Sequence, residues 1–114
     1  MAKKGLKFKS YKYNFDKNER KLVLSFCNQA VKEMSSDSRF AQELSIFNSI
    51  IDKLEAPGEE VQLTKKEATR LTFQLKENTK QLKERLDKSS FIKKWFYKSI
   101  YNQYKNLLDN HFED

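Results

Sequence analysis

Apolar side chains recur along this chain at helical spacing in four stretches, each bounded by residues that favour helix ends. After Asp16, the positions Val23, Phe26, Cys27, Ala30, Val31 and Met34 share one side of a helix. Asp16 can cap that helix, and Glu19, at its third position, can reach back to the capping residue. Ser35-Ser36-Asp37-Ser38 interrupts the pattern, because these short polar side chains compete for backbone hydrogen bonds. Phe40, Leu44, Phe47, Ile51 and Leu54 then form a second stripe, widened by Ile46 and Ile50 and closed by Ala56-Pro57-Gly58. Thr64 and Glu67 make a second capping box, with Leu63 placed to staple onto Ala68. The stripe that follows is narrow (Ala68, Leu71, Leu75, Leu82 and Leu86), and Asn78 and Thr79 dilute its middle. After Ser89-Ser90 a fourth helix holds most of the aromatic weight. Its residues Ile92, Phe96, Tyr97, Ile100, Tyr101, Tyr104, Leu107 and Leu108 fill an arc of about 180° at 100° per residue. An arc wider than the roughly 100° a surface helix needs predicts a helix wedged between others. Phe91 and Trp95 fall outside it, beside Lys98 and Asn102. The expected fold is mainly α, four helices at about 16–34, 38–55, 64–88 and 90–110 in a single domain spanning 1–114.

Residues 6–13 alternate basic with apolar or aromatic side chains, which reads either as a strand or as a loose basic arm. A strand there can pair with a short one near 60–63. Phe15-Asp16-Lys17-Asn18-Glu19 followed by Val23 is echoed by Leu63-Thr64-Lys65-Lys66-Glu67 followed by Leu71, every position shifted by the same interval. Either a strand-helix-helix unit is duplicated, with its two strands paired as a ribbon, or two well-capped helix starts simply look alike.

Composition narrows the functional classes. Two glycines and one proline in 114 residues leave too few turn-formers for a sandwich or barrel of many strands. No run approaches 18 apolar residues, and Met1-Ala2-Lys3-Lys4 leads into no apolar segment, so a cytoplasmic protein is expected. The single histidine, His111, and the single cysteine, Cys27, cannot make a Cys/His zinc site or an internal disulfide between them. Cys27 sits among apolar neighbours and reads as a small buried hydrophobe. Glycine-rich nucleotide loops and the nucleophile elbow are absent. The expectation is therefore a non-enzyme with no cofactor and no metal.

The net charge of +7 is unevenly distributed: +6 over residues 1–21, −4 over 22–60, +4 over 61–88 and +1 over 89–114. Segregated charge implies a positive face rather than general solubility. Lysines neutralise phosphates and aromatics stack on exposed bases, which makes Lys3, Lys4, Lys7, Lys9, Lys12, Lys94 and Lys98 candidate nucleic-acid contacts. Phe91 and Trp95, off the main stripe, are candidate partner-binding residues. The order of a basic strand, a helix from 16, a polar break and a helix from 38 resembles a ribbon-helix-helix arrangement, in which two chains pair their strands and insert them into the major groove. The resemblance covers about half the chain, and its outward positions are mostly lysine, a better partner for phosphates than for bases. The reading is a small basic binding protein with a regulatory or accessory role on nucleic acid. The competing reading is a protein–protein interaction module, a homodimeric adaptor or inhibitor, because the over-wide arc of the fourth helix implies a homodimer. A membrane role is not expected, since so small a domain would need those aromatics in its core.

Overall fold

A computed structural model describes residues 11–112, and helix covers 79% of it, so the fold is mainly α with a small strand pair. The element order is β1 (Tyr11–Tyr13), α1 (Lys17–Met34), a 3-10 turn (Ser38–Phe40), α2 (Ala41–Glu55), β2 (Val61–Leu63), α3 (Lys65–Lys88) and α4 (Phe91–His111). The four helices lie where the caps and stripes put them. The 38–55 helix differs in its opening: its first turn is 3-10, capped by Asp37, whose side chain accepts from the Arg39 N–H. The part of the expected strand that covers 6–10 lies outside the described residues.

The chain divides into two compact units, Met1–Thr69 and Arg70–Asp114, and α3 begins in the first. In the first unit β1 and β2 are antiparallel, pairing Tyr11 with Leu63, Lys12 with Gln62 and Tyr13 with Val61. Residues of alternate parity point inward, as strand geometry requires. Tyr13, Val61 and Leu63 are buried while Lys12 and Gln62 are exposed. Phe15, two residues beyond Tyr13, is buried with its ring stacked on that of Tyr13 at 5.4 Å. β1 thus takes its partner from its own chain, and not from a second copy as in a ribbon-helix-helix pair.

Both capping boxes form. Asp16 Oδ1 accepts from the Glu19 N–H at 2.7 Å, and Glu19 Oε1 accepts from the Asp16 N–H at 2.9 Å. Thr64 Oγ1 accepts from the Glu67 N–H at 3.1 Å, and Glu67 Oε1 accepts from the Thr64 N–H at 2.9 Å. Leu63 and Ala68, the residues of the expected staple, are both buried. Glu67 does more than close its own box. Its carboxylate also accepts from Ser49 Oγ at 2.5 Å and Lys53 Nζ at 2.6 Å, so the start of α3 is tied to α2. The Arg20 guanidinium, from α1, donates to the carbonyls of Leu54, Ala56 and Gly58 at 2.8–2.9 Å. It thereby holds the end of α2, where the last carbonyls lack helical partners. Gly58 follows with φ +109°, a conformation that side-chain-bearing residues rarely adopt.

Burial repeats along with the caps. Val23 and Cys27 of α1 are inaccessible, and so are Leu71 and Leu75, which hold the matching positions of α3. Phe47, Ile50, Ile51 and Leu54 of α2 are buried. The same spacing recurs in α4, where Leu107 and Leu108 are buried and Tyr104 and His111 half-buried. The chain is therefore two consecutive strand-helix-helix segments. Their helices differ in length: α3 has 24 residues against 18 in α1, and α4 has 21 against 15 in α2.

In the second unit, Leu71, Leu75 and Thr79 form the buried stripe of α3, while Leu82 and Leu86 are half-buried. Thr79 turns its hydroxyl back to the Leu75 carbonyl at 2.8 Å, so a polar residue sits on the stripe without an unsatisfied group. The wedged α4 expected from the apolar arc is not found in its first half. Ile92 and Phe96 belong to that arc by periodicity, yet they are 80% and 56% exposed; Tyr97, Ile100, Tyr101 and Tyr104 are half-buried, and full burial is reached only at Leu107. A repeating pattern reveals which residues share a face, but covering that face requires a neighbour long enough to reach it.

Candidate nucleic-acid interface

α3 and α4 are joined by two residues, Ser89 and Ser90. The Ser89 hydroxyl donates to the Arg85 carbonyl and closes α3. The Ser90 carbonyl accepts from the Lys94 N–H at 2.7 Å and starts α4, although the Ser90 side chain makes no capping hydrogen bond. A groove at this elbow is lined by Arg85, Lys88 and Lys93, with Glu84, Ser90 and Tyr97. The first turn of α4 carries no acidic residue, so the partial positive charge of the helix start adds to the lysines instead of offsetting them.

On the outer side of α4, Phe91, Ile92, Trp95 and Phe96 occupy an arc of about 140° at 100° per residue. Phe91 is 90% exposed and Trp95 78%. Lys98 and Lys94 fall within about 60° of Phe91, so cations border the two rings on one stripe. From Ser99 onward the same face is polar, with Asn102, Gln103 and Asn106. The sequence from Ser89 to Leu108 contains four lysines and no carboxylate. Lys83 pairs with Asp87 and Lys105 with Asp109 at one-turn spacing. Among the described residues no ion pair engages Lys88, Lys93, Lys94 or Lys98. The elbow is thus a concentration of exposed apolar surface and net positive charge, with Glu84 the carboxylate that lines its groove.

Lys94, Lys98, Phe91 and Trp95 are brought together here, all exposed. Lys12 lies apart from them in sequence, exposed at the centre of β1 opposite Gln62. Lys3, Lys4, Lys7 and Lys9 lie outside the described residues. Periodicity assigns Ile92 and Phe96 to the core, and it gives no reason to single out Arg85, Lys88 or Lys93. One signal is available in the sequence: the end of α3 offers only Leu82 and Leu86 to cover the apolar start of α4.

Elsewhere, Cys27 is fully buried and desolvation pushes its thiol up to about 12, so it carries no thiolate at neutral pH. Among the described residues no group of three or more His, Cys, Asp or Glu is placed to hold a metal ion, and no helix is long and apolar enough to cross a membrane. Comparison with family models, curated proteins and solved structures finds no match to this chain.

Proposed function

We propose that this protein acts by binding nucleic acid, without catalysis, in a regulatory or accessory role. The observation that carries this reading is the exposure of Phe91 and Trp95 beside Lys94 and Lys98, cations that no carboxylate neutralises among the described residues. Large apolar side chains clustered in water are disfavoured unless a partner covers them. Unpaired cations around them select a partner carrying negative charge, and phosphates with bases supply both chemistries. The +6 charge of residues 1–21 supports the same partner.

The test is binding to generic single-stranded and duplex DNA at two salt concentrations. Binding that weakens steeply with salt supports phosphate contact. Absence of binding at low salt refutes it and leaves a protein–protein interaction module. That second reading is favoured by Ile92, an exposed aliphatic side chain with no base-stacking role.

A further inference from the structure

We infer that the elbow between α3 and α4 is a site for single-stranded nucleic acid: unpaired bases stack on Phe91 and Trp95, and phosphates lie along Lys94 and Lys98 and in the groove lined by Arg85, Lys88 and Lys93. The inference rests on the nucleic-acid reading above and names the form of nucleic acid that the site takes.

The repeated architecture shows what the fold requires and what has been added to it. Each helix of the second segment is six residues longer than its counterpart in the first. The caps align α1 with the start of α3, so the extra residues of α3 fall at 83–88. The buried spacing of α2 matches the end of α4, so the extra residues of α4 fall at its start, about 91–96. Phe91, Ile92, Trp95 and Phe96, the most exposed apolar cluster among the described residues, lie in this added elbow together with the groove cations and Lys94, while Phe40 and Phe73 are exposed singly elsewhere. A strand-helix-helix segment packs without it in the first half of the chain, so packing does not account for its composition.

The chemistry selects the ligand. Phe91 and Trp95 are one turn apart, about 6 Å along the helix axis, so the two rings can engage separate bases. Duplex bases hide their faces in the stack, and only an unpaired strand can offer them to a protruding ring. A lipid surface fits less well. The exposed apolar face lasts two turns before Ser99, Asn102 and Gln103, and lysines border its rings on the same stripe, whereas interfacial helices bury a long continuous apolar face. A second copy of the chain seated symmetrically on this face would bring the two sets of unpaired lysines together.

Trp95 is the only tryptophan in the chain, so intrinsic tryptophan fluorescence reports on the elbow alone. The full chain is titrated with a thymidine homopolymer, a duplex of equal length, and vesicles of phosphatidylglycerol with phosphatidylcholine. The expected result is quenching of Trp95 by the single strand, with affinity about tenfold above that for duplex and falling as salt rises. Phe91→Ala and the double variant Lys94→Gln/Lys98→Gln are each expected to weaken single-strand binding about tenfold, with an unchanged circular dichroism melt because these side chains are exposed. Equal binding of duplex with Trp95 unquenched overturns the elbow site and leaves the nucleic-acid reading standing. Binding of neither form overturns both. A blue shift of Trp95 with vesicles but not oligonucleotide, or on raising protein concentration alone, assigns the elbow to a membrane or to a second copy and overturns the inference.

Discussion

Tyr13 lies directly across the ribbon from Val61, and their separation along the chain equals that between the two cap residues, Asp16 and Thr64. The register of the ribbon therefore sets one segment's residue against its counterpart in the other. The same interval relates the buried Phe15 to the buried Leu63, and the cap residue Asp16 to Thr64. The two segments thus begin alike, and their helices differ in length.

Two truncations separate the charge of the N-terminal segment from its role in the ribbon. Removing residues 1–9 deletes Lys3, Lys4, Lys7 and Lys9 but leaves β1 whole. For every phosphate that this deletion leaves unneutralised, the slope of log affinity against log salt is expected to flatten by about 0.9 on duplex DNA. Removing residues 1–12 also takes Tyr11 and Lys12 from β1 and should lower the melting temperature. Identical affinity and slope after the shorter deletion would show that these lysines serve only solubility.

Glu67 should make stability depend on pH in the acid range. Burial raises its pKa, but hydrogen bonds from Lys53, Ser49 and the Thr64 N–H outweigh that effect and hold it below the ordinary glutamate value. A group whose pKa is depressed by folding stabilises the protein above its unfolded pKa, and the contribution disappears as pH falls. It should be present at pH 7 and lost progressively below about 4.3. Glu67→Gln is expected to destabilise by about 1.5–3 kcal/mol at neutral pH, and its deficit should shrink in urea titrations at pH 3. A deficit independent of pH would mean that the carboxylate charge is not what holds α2 to the start of α3.

The two helix starts should respond alike to loss of their caps. Thr64→Ala and Asp16→Ala are each expected to lose about 0.5–2 kcal/mol in chemical denaturation. If the Thr64→Ala curve overlays that of the parent, its hydroxyl does not contribute to the start of α3.

Arg20 should resist conservative replacement. Its planar guanidinium reaches carbonyls of Leu54, Ala56 and Gly58 at once, from Nε, Nη2 and Nη1. A lysine ammonium is a point donor and cannot span three separated acceptors. Arg20→Lys is therefore expected to lose about 1–2 kcal/mol and to speed amide exchange between Ala56 and Glu60. Exchange rates matching the parent would show that the loop is held by other contacts.

Cys27 offers a probe of global opening. Its burial and raised pKa predict no alkylation by iodoacetamide at pH 8 until denaturant unfolds the chain. Prompt labelling in native buffer would contradict the placement of this thiol.

Helix boundaries are largely legible before folding, because their signals are local, whereas the strand over residues 6–13 competes in the sequence with a loose basic arm, and its pairing is a long-range contact. A cap is a hydrogen bond between residues three apart, as in Asp16 with Glu19 and Thr64 with Glu67, and the chain carries both partners wherever the helix goes. The echo between the two cap segments places two strands of matching parity ahead of those caps. The tertiary structure decided what required reach. Glu67 meets Ser49 and Lys53 from another helix, contacts that no spacing rule within α3 contains. Ile92 and Phe96 share the periodicity of Leu107 and Leu108, yet the first pair is exposed and the second buried. Periodicity is a property of one helix, whereas burial depends on where its neighbours end.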